Sequence, residues 1–213
     1  MTSHIVPVLG YRDARAAVSW LVDVLGCDKR DDHSVVWRSN VIEVQSGIER
    51  AIRIGHRSQP VRTITDPGGY VWVVGGGEGT ATADTVVPEL RYSDVVSAAR
   101  WLERELGFEK TFEVPGEDAA PVHLEMSDGR GHIFLSPLSV SGPFADITQF
   151  LNLVVDDPDA HHARAKAAGA NVIVAPRDTP FGARFYAVRD PEQMLWWIST
   201  YRPAERGALA PHS

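Results

Sequence analysis

Cysteine is almost missing: Cys27 is the one such residue in 213. An internal disulfide is therefore excluded, and the chain suits a reducing compartment, so a cytoplasmic location is expected. Positive charge is also short. The 21 lysines and arginines stand against 28 aspartates and glutamates, for a net charge of −7. A general binder of nucleic-acid backbone is excluded, because that role needs a basic face. Long apolar runs are absent too, none approaching the ~20 residues of a membrane span. The opening MTSHIVPVLGYRD has neither the basic end nor the apolar stretch of a secretory leader. No nucleic acid and no membrane are expected among the partners.

What is present is repetition. VPVLGYRD followed by WL and LG (residues 6–26) returns as VPELRYSD followed by WL and LG (residues 87–107), with Tyr11 and Tyr92 81 positions apart (92 − 11). Leu9/Leu90, Asp13/Asp94, Trp20/Trp101, Leu21/Leu102 and Gly26/Gly107 coincide. A repeat names the structural unit before any single residue is interpreted. Here the unit is a strand, a turn and a helix. Ala17, Trp20, Leu21, Val24 and Leu25 fall at i, i+3, i+4, i+7 and i+8, one apolar stripe. Asp13 and Asp94 read as N-caps, Gly26 and Gly107 as left-handed stops. A third helix is predicted after Asp157, with Pro158 in its first position and Gly169 past its end. Its His161 and His162 sit beside alanines and read as solvent-facing.

Short segments rich in β-branched and aromatic residues precede each helix, at 4–9, 86–91 and 150–155. Others follow: 35–37, 41–45, 61–65 and 70–74, then 108–114, 122–126 and 132–135, and finally 172–175, 185–188 and 195–199. GGGEGTATAD (75–84) reads as a linker, PGEDAAP (115–121) as an exposed loop and PLSVSGPFAD (137–146) as a connection. The division expected is one module over 1–80, a two-module domain over 85–201 and a disordered tail over 202–213. A second echo refines this. TDPGGYVWVVG (65–75) matches RDPEQMLWWIS (189–199), aligning Asp66/Asp190, Pro67/Pro191 and Trp72/Trp196. The first unit opens like the second and closes like the third.

DDPDAHHARAKAAGANVIVAPRDTPFGARFYAVRDPEQMLWWIST (156–200) and VHLEMSDGRGHIFLSP (122–137) resemble bleomycin-resistance-like members of the vicinal oxygen chelate superfamily, which includes glyoxalase I and extradiol dioxygenases. The resemblance covers about residues 4–200. It implies an α+β fold of repeated βαβββ modules that form curved mixed sheets, glyoxalase-like half-barrels, paired around a cavity. In metal-dependent members that cavity holds a divalent ion from the first and last strands of each module. Aligned on the resemblance, those slots fall at Val87, Phe150, Phe134 and Trp197, with Val6 and Val73 matching in the first unit. Such side chains offer a metal no lone pairs, so no metal and no other cofactor is expected. Glu43 resembles a ligand-bearing strand position of glyoxalase I, and His4 shares a strand face with Val6; both read as surface placements.

The expected ligand-binding residues are Phe134, Phe150, Trp197 and Tyr186 as flat apolar faces. To these are added Arg184 at the rim, and His123 and Glu125, which share one face of a strand. That face turns either into the cavity or to water. No catalytic residue is assigned. The expected function is metal-free binding of a small drug or metabolite, aromatic or cationic. The alternative is a metal-dependent lyase, thiol transferase or dioxygenase, and a third reading is a regulatory or assembly role. Because cavities of this family come from paired modules and the first unit lacks a second, a homodimer is expected.

Overall fold

The computed structural model describes residues 5–38, 40–47, 51–54, 61–74, 85–116, 120–139, 141, 144–145 and 147–203. The linker expected at 75–84 and most of the tail expected at 202–213 lie outside the described residues.

The helices form where the punctuation places them. They are α1 (Ala14–Asp23), α2 (Val95–Leu106) and α3 (Pro158–Ala167). In each, the capping aspartate accepts a backbone N–H from three residues on: Asp13 from Ala16 at 2.9 Å, Asp94 from Ser97 at 2.9 Å and Asp157 from Ala160 at 3.0 Å. One orphan donor of the first turn is thereby satisfied, worth about 1 kcal/mol per helix.

Among the described residues fifteen strands surround them: β1 (Ile5–Tyr11), β2 (Asp28–Asp31), β3 (Ser34–Trp37), β4 (Asn40–Ser46), β5 (Ala51–Ile54), β6 (Arg62–Thr65) and β7 (Val71–Val74), then β8 (Val86–Tyr92), β9 (Glu109–Pro115), β10 (Pro121–Ser127), β11 (His132–Pro137), β12 (Gln149–Val154), β13 (Asn171–Asp178), β14 (Arg184–Arg189) and β15 (Leu195–Ser199). They make two curved mixed sheets that do not close into barrels. Their orders are β2-β3-β4-β1-β5-β7-β6 and β13-β14-β15-β12-β8-β11-β10-β9.

One pairing rule builds both. The opening strand of a module runs parallel to its own closing strand and antiparallel to the opening strand of the next module. In the second sheet β8 pairs parallel with β11, β12 parallel with β15, and β8 antiparallel with β12. In the first sheet β1 pairs parallel with β4, β5 parallel with β7, and β1 antiparallel with β5. The first unit therefore carries a strand set beyond one βαβββ module: β5, β6 and β7 follow it, with no helix among the described residues. β7 takes the place in its sheet that β15 takes in the other, which is why residues 65–75 echo 189–199.

β2 and β5 are the strands that periodicity misses. β2 (DKRD) is exposed throughout, so no apolar alternation marks it. β5 also supplies, from the same chain, the partner for β1 whose lack motivates the homodimer.

The helices pack against the faces of the sheets that look toward each other. The α1 residues Ala17, Leu21, Val24 and Leu25 join Val35, Ile42 and Val44 of their own sheet and Leu151, Tyr186, Trp196 and Ile198 of the other. Around α2, Ala98 and Leu102 join Leu90, Met126 and Leu135 with Ile52, Trp72 and Val74. Each large side chain so buried contributes about 1.5–3 kcal/mol.

Two buried carboxylates fasten the sheets across this core, and they do so reciprocally. Asp190 of the second sheet accepts from the Tyr11 hydroxyl of the first at 2.5 Å, from Trp196 Nε1 at 3.2 Å, and from the backbone N–H groups of Glu192 and Met194. Asp66 of the first sheet accepts from the Tyr92 hydroxyl of the second at 2.5 Å, from Trp72 Nε1 at 3.0 Å, and from the backbone N–H groups of Gly68 and Tyr70. The paired tyrosines of the first echo and the paired aspartates and tryptophans of the second thus acquire one shared role. Gly68 is required here, because a Cβ on it would lie 2.5 Å from Cε1 of Tyr92.

His161 is buried, not solvent-facing as its alanine neighbours suggest. Its Nε2 lies 3.0 Å from the Leu25 carbonyl and its Nδ1 2.6 Å from the Tyr186 hydroxyl. A carbonyl only accepts, so Nε2 carries the proton and Nδ1 accepts from Tyr186. Burial, aided by the charge of Arg164, pushes its pKa down to about 4.

Two outcomes follow from these contacts. Asp190→Ala leaves four donors unsatisfied in the core and is expected to cost at least about 3 kcal/mol, against about 1–2 kcal/mol for Tyr11→Phe, read from urea midpoints. Equal losses would mean that the carboxylate is not what joins the sheets. Because the folded pKa of His161 lies below the unfolded ~6.5, the unfolded chain binds the extra proton. Stability should therefore fall as pH drops from about 6.5 toward 4, by up to about 3 kcal/mol. His161→Gln should flatten that part of the curve, and an unchanged slope would refute the assignment.

Candidate functional site

Strand alternation divides the side chains of the second sheet between two faces. One face packs on the helices. The other is concave, has no helix on it among the described residues, and carries Val87, Glu89 and Arg91 from β8, with their neighbours on the strands to either side. The caps Asp94 and Asp157 are 63 positions apart (157 − 94). The same offset carries Val87 onto Phe150, Glu89 onto Asn152, Phe134 onto Trp197 and Ser136 onto Ser199. A hydrogen bond repeats with it: Ser136 Oγ donates to Glu89 Oε1 at 2.5 Å, and Ser199 Oγ donates to Asn152 Oδ1 at 2.8 Å. The two halves of the cup share one frame with different chemistry hung on it.

The half built from β8 to β11 is polar beneath aromatic rings. Glu125 is completely buried; it accepts from the Tyr201 hydroxyl and lies 3.3 Å from Nε2 of His123. The His123 ring stands 5.0 Å from Phe134, 5.8 Å from Tyr201 and 6.4 Å from Phe112. Tyr201 reaches this half because the chain past β15 turns over the open face, its carbonyl accepting from Asn152 at 3.3 Å and its N–H donating to Ser199 Oγ at 3.1 Å. Burial and then the bond to Glu125 raise the Tyr201 pKa, so the phenol keeps its proton. Glu89 retains partial solvent access, yet the protein packed around it pushes its pKa up against the opposing effects of His123, Ser136 and Arg91. Both facts fit a carboxyl at the bottom of an open cup.

The half built from β12 to β15 is apolar. Trp197 stacks flat on Phe185, with ring centroids 3.8 Å apart and planes 5° apart. Phe150 and Phe144 stand 6.1 and 5.7 Å from the same indole. Arg91 lies over Phe150 and Phe144, and its Nη1 donates to the Phe144 carbonyl at 3.0 Å.

The structure brings Phe134, Phe150, Trp197, His123 and Glu125 onto this one face. Of the two faces open to the His123 strand, it takes the one turned into the cup. Tyr186 and Arg184 are elsewhere. Tyr186 alternates with Phe185 onto the helix side, where it bonds to His161. Arg184 is held by Asp159 of α3 and by Asp178 at 3.0 Å. Glu89, Asn152 and Tyr201 also stand at this face and are not among the residues expected from the sequence. The 63-residue offset was the signal for Glu89 and Asn152; Tyr201 lies outside the repeat and had none.

The four slots that the resemblance assigns to metal ligands hold Val87, Phe134, Phe150 and Trp197, all in or beside the cup. Among the described residues no group of three or more His, Cys, Asp or Glu is placed to hold a metal ion. This donor set does not fit a divalent cation.

A sequence model described as the Glyoxalase/Bleomycin resistance protein/Dioxygenase superfamily matches residues 83–198. No protein of curated function matches the chain. Among solved structures it is similar to an extradiol ring-cleaving dioxygenase from B. fuscum, with 14% identity over 98% of this chain and 73% of that one and a TM-score of 0.61. It is similar also to 2,2',3-trihydroxybiphenyl 1,2-dioxygenase from Sphingomonas wittichii strain RW1, at 11% identity, 92% and 88% coverage and a TM-score of 0.60. The Mn(II)-bound glyoxalase from Novosphingobium aromaticivorans gives 13% identity, 92% and 80% coverage and a TM-score of 0.59. At these identities the likeness is one of fold.

Proposed function

The chain belongs to the glyoxalase/bleomycin resistance protein/dioxygenase superfamily, and from that premise we propose that it binds a small organic molecule in the cup of its second sheet without a metal ion. The observation that carries this reading is the identity of the four slot residues. A Lewis acid needs lone pairs aimed at one point, and Val87, Phe134, Phe150 and Trp197 have none to give. What they do supply is apolar surface. The flat Phe185–Trp197 stack and the adjacent Phe150 make a wall suited to a planar ligand, each such ring contact adding about 0.5–1.5 kcal/mol beyond its buried area. Glu89 and His123 are the polar groups that orient what lies on that wall.

The reading is tested without knowing the natural ligand. Protein purified without chelator is expected to contain no stoichiometric Ni, Zn, Mn or Fe by elemental analysis. Neutral planar fragments such as 2-naphthol are expected to raise the melting temperature of the parent protein but not of Trp197→Ala. A stoichiometric divalent cation, retained at the cup and lost on substitution of Glu125 or His123, overturns the metal-free reading in favour of a metal-dependent enzyme.

A further inference from the structure

The cup is electrically lopsided although its frame is repeated. Where one half has the neutral amide of Asn152, the other has the carboxyl of Glu89, each held by its equivalent serine. The second carboxyl of the face, Glu125, lies on the same side as Glu89, both acting on Tyr201. The positive charge lies over the apolar half: the Arg91 guanidinium stands over Phe144 and Phe150 and donates to the Phe144 carbonyl, and Arg177 stands over Phe185. His123 stands at the carboxyl end, bonded to Glu125. Around that end the rings of Phe112, Tyr201 and Phe134 gather near His123, with Phe112 6.4 Å and Tyr201 5.8 Å from the imidazole and Phe134 5.7 Å from Tyr201.

We propose that the cup is built for an organic monocation, its aromatic body lying against Trp197 and Phe150 and its protonated amine turned toward Glu89. This rests on the metal-free binding reading above and names the class of ligand. The reasons are electrostatic. A carboxyl shielded from bulk water gains from an approaching ammonium and is opposed by a second anion. Aromatic faces add attraction for a cation that they do not offer an anion. An ammonium also needs only one carboxyl and a ring wall, which are present, whereas a metal needs the converging donors that are not. Phe181, exposed and 5.4 Å from Tyr201, marks the side on which the ring wall meets solvent.

Three probes of one shape and different charge test this on the full chain at near-neutral pH: protonated 2-phenylethylamine, neutral 2-phenylethanol and anionic 3-phenylpropanoate, followed by tryptophan fluorescence and calorimetry. The amine is expected to bind about tenfold more tightly than the alcohol, with the propanoate weakest. Glu89→Gln should bring the amine down to the level that the alcohol shows in the same variant. Equal binding of amine and alcohol in the parent protein, or tightest binding of the propanoate, overturns the cation assignment while leaving the binding reading in place. No saturable signal from any of the three overturns both. The comparison among probes in the parent protein stands whether or not Glu89→Gln folds.

Discussion

Two buried aspartates hold this molecule in its shape. Taking a carboxylate out of water is costly unless its lone pairs are filled, and each of the two is filled by four donors: a tyrosine hydroxyl, an indole N–H and two backbone N–H groups. The indole and the backbone groups come from the aspartate's own turn. The tyrosine comes from the other sheet. Tyr11 closes the cradle around Asp190 and Tyr92 closes the one around Asp66, so neither sheet completes its own. Sliding one sheet over the other would empty both cradles at once. That cooperativity, more than any single contact area, defines how the halves sit.

The outward face of the second sheet follows from that docking. Because the sheets meet through the faces that carry the helices, the opposite face of the second sheet is turned outward, where Phe150, Phe185, Ala187 and Leu195 form a smaller buried cluster of their own. That cluster is bordered by two carboxyls, the part-buried Glu89 and the completely buried Glu125. Trp196 and Trp197 divide along this boundary. Trp196 is sealed in the core, its indole N–H on Asp190; Trp197 faces the cup and stacks on Phe185.

Within the cup, the frame is more symmetrical than the chemistry. Ser136 and Ser199 make the same bond to residues at the same pseudo-equivalent position, yet one acceptor is an acid and the other an amide. Such a pair shows how a duplicated module can keep its geometry and change its reactivity, since hydrogen-bond geometry tolerates the exchange of carboxyl for amide while electrostatics does not. The aromatic side chains in the slots act in the same direction, replacing directional donors with broad apolar contact.

Much of this was readable along the chain, and the reason is local. The caps Asp13, Asp94 and Asp157, the glycine stops and the apolar stripes of α1 and α2 act within a turn or two, and the two echoes disclosed the module and its pairing with Trp72 and Trp196. β2 escaped because an exposed edge carries no apolar period. His161 escaped because its burial comes from Leu25, 136 positions away, and no neighbour in sequence reports it. The cup was half visible. Strand alternation put His123 and Glu125 on one face, and only sheet curvature said that this face looks inward. Tyr186 and Arg184 looked like ligand contacts until the tertiary structure turned one into the helix layer and paired the other with aspartates. Sequence alone determined the unit, its repetition and the apolar identity of the slots, because those are properties of near neighbours. The folded structure decided which sheet faces meet, how Tyr201 crosses the opening and where the two carboxyls gather, because those depend on contacts between residues far apart in the chain.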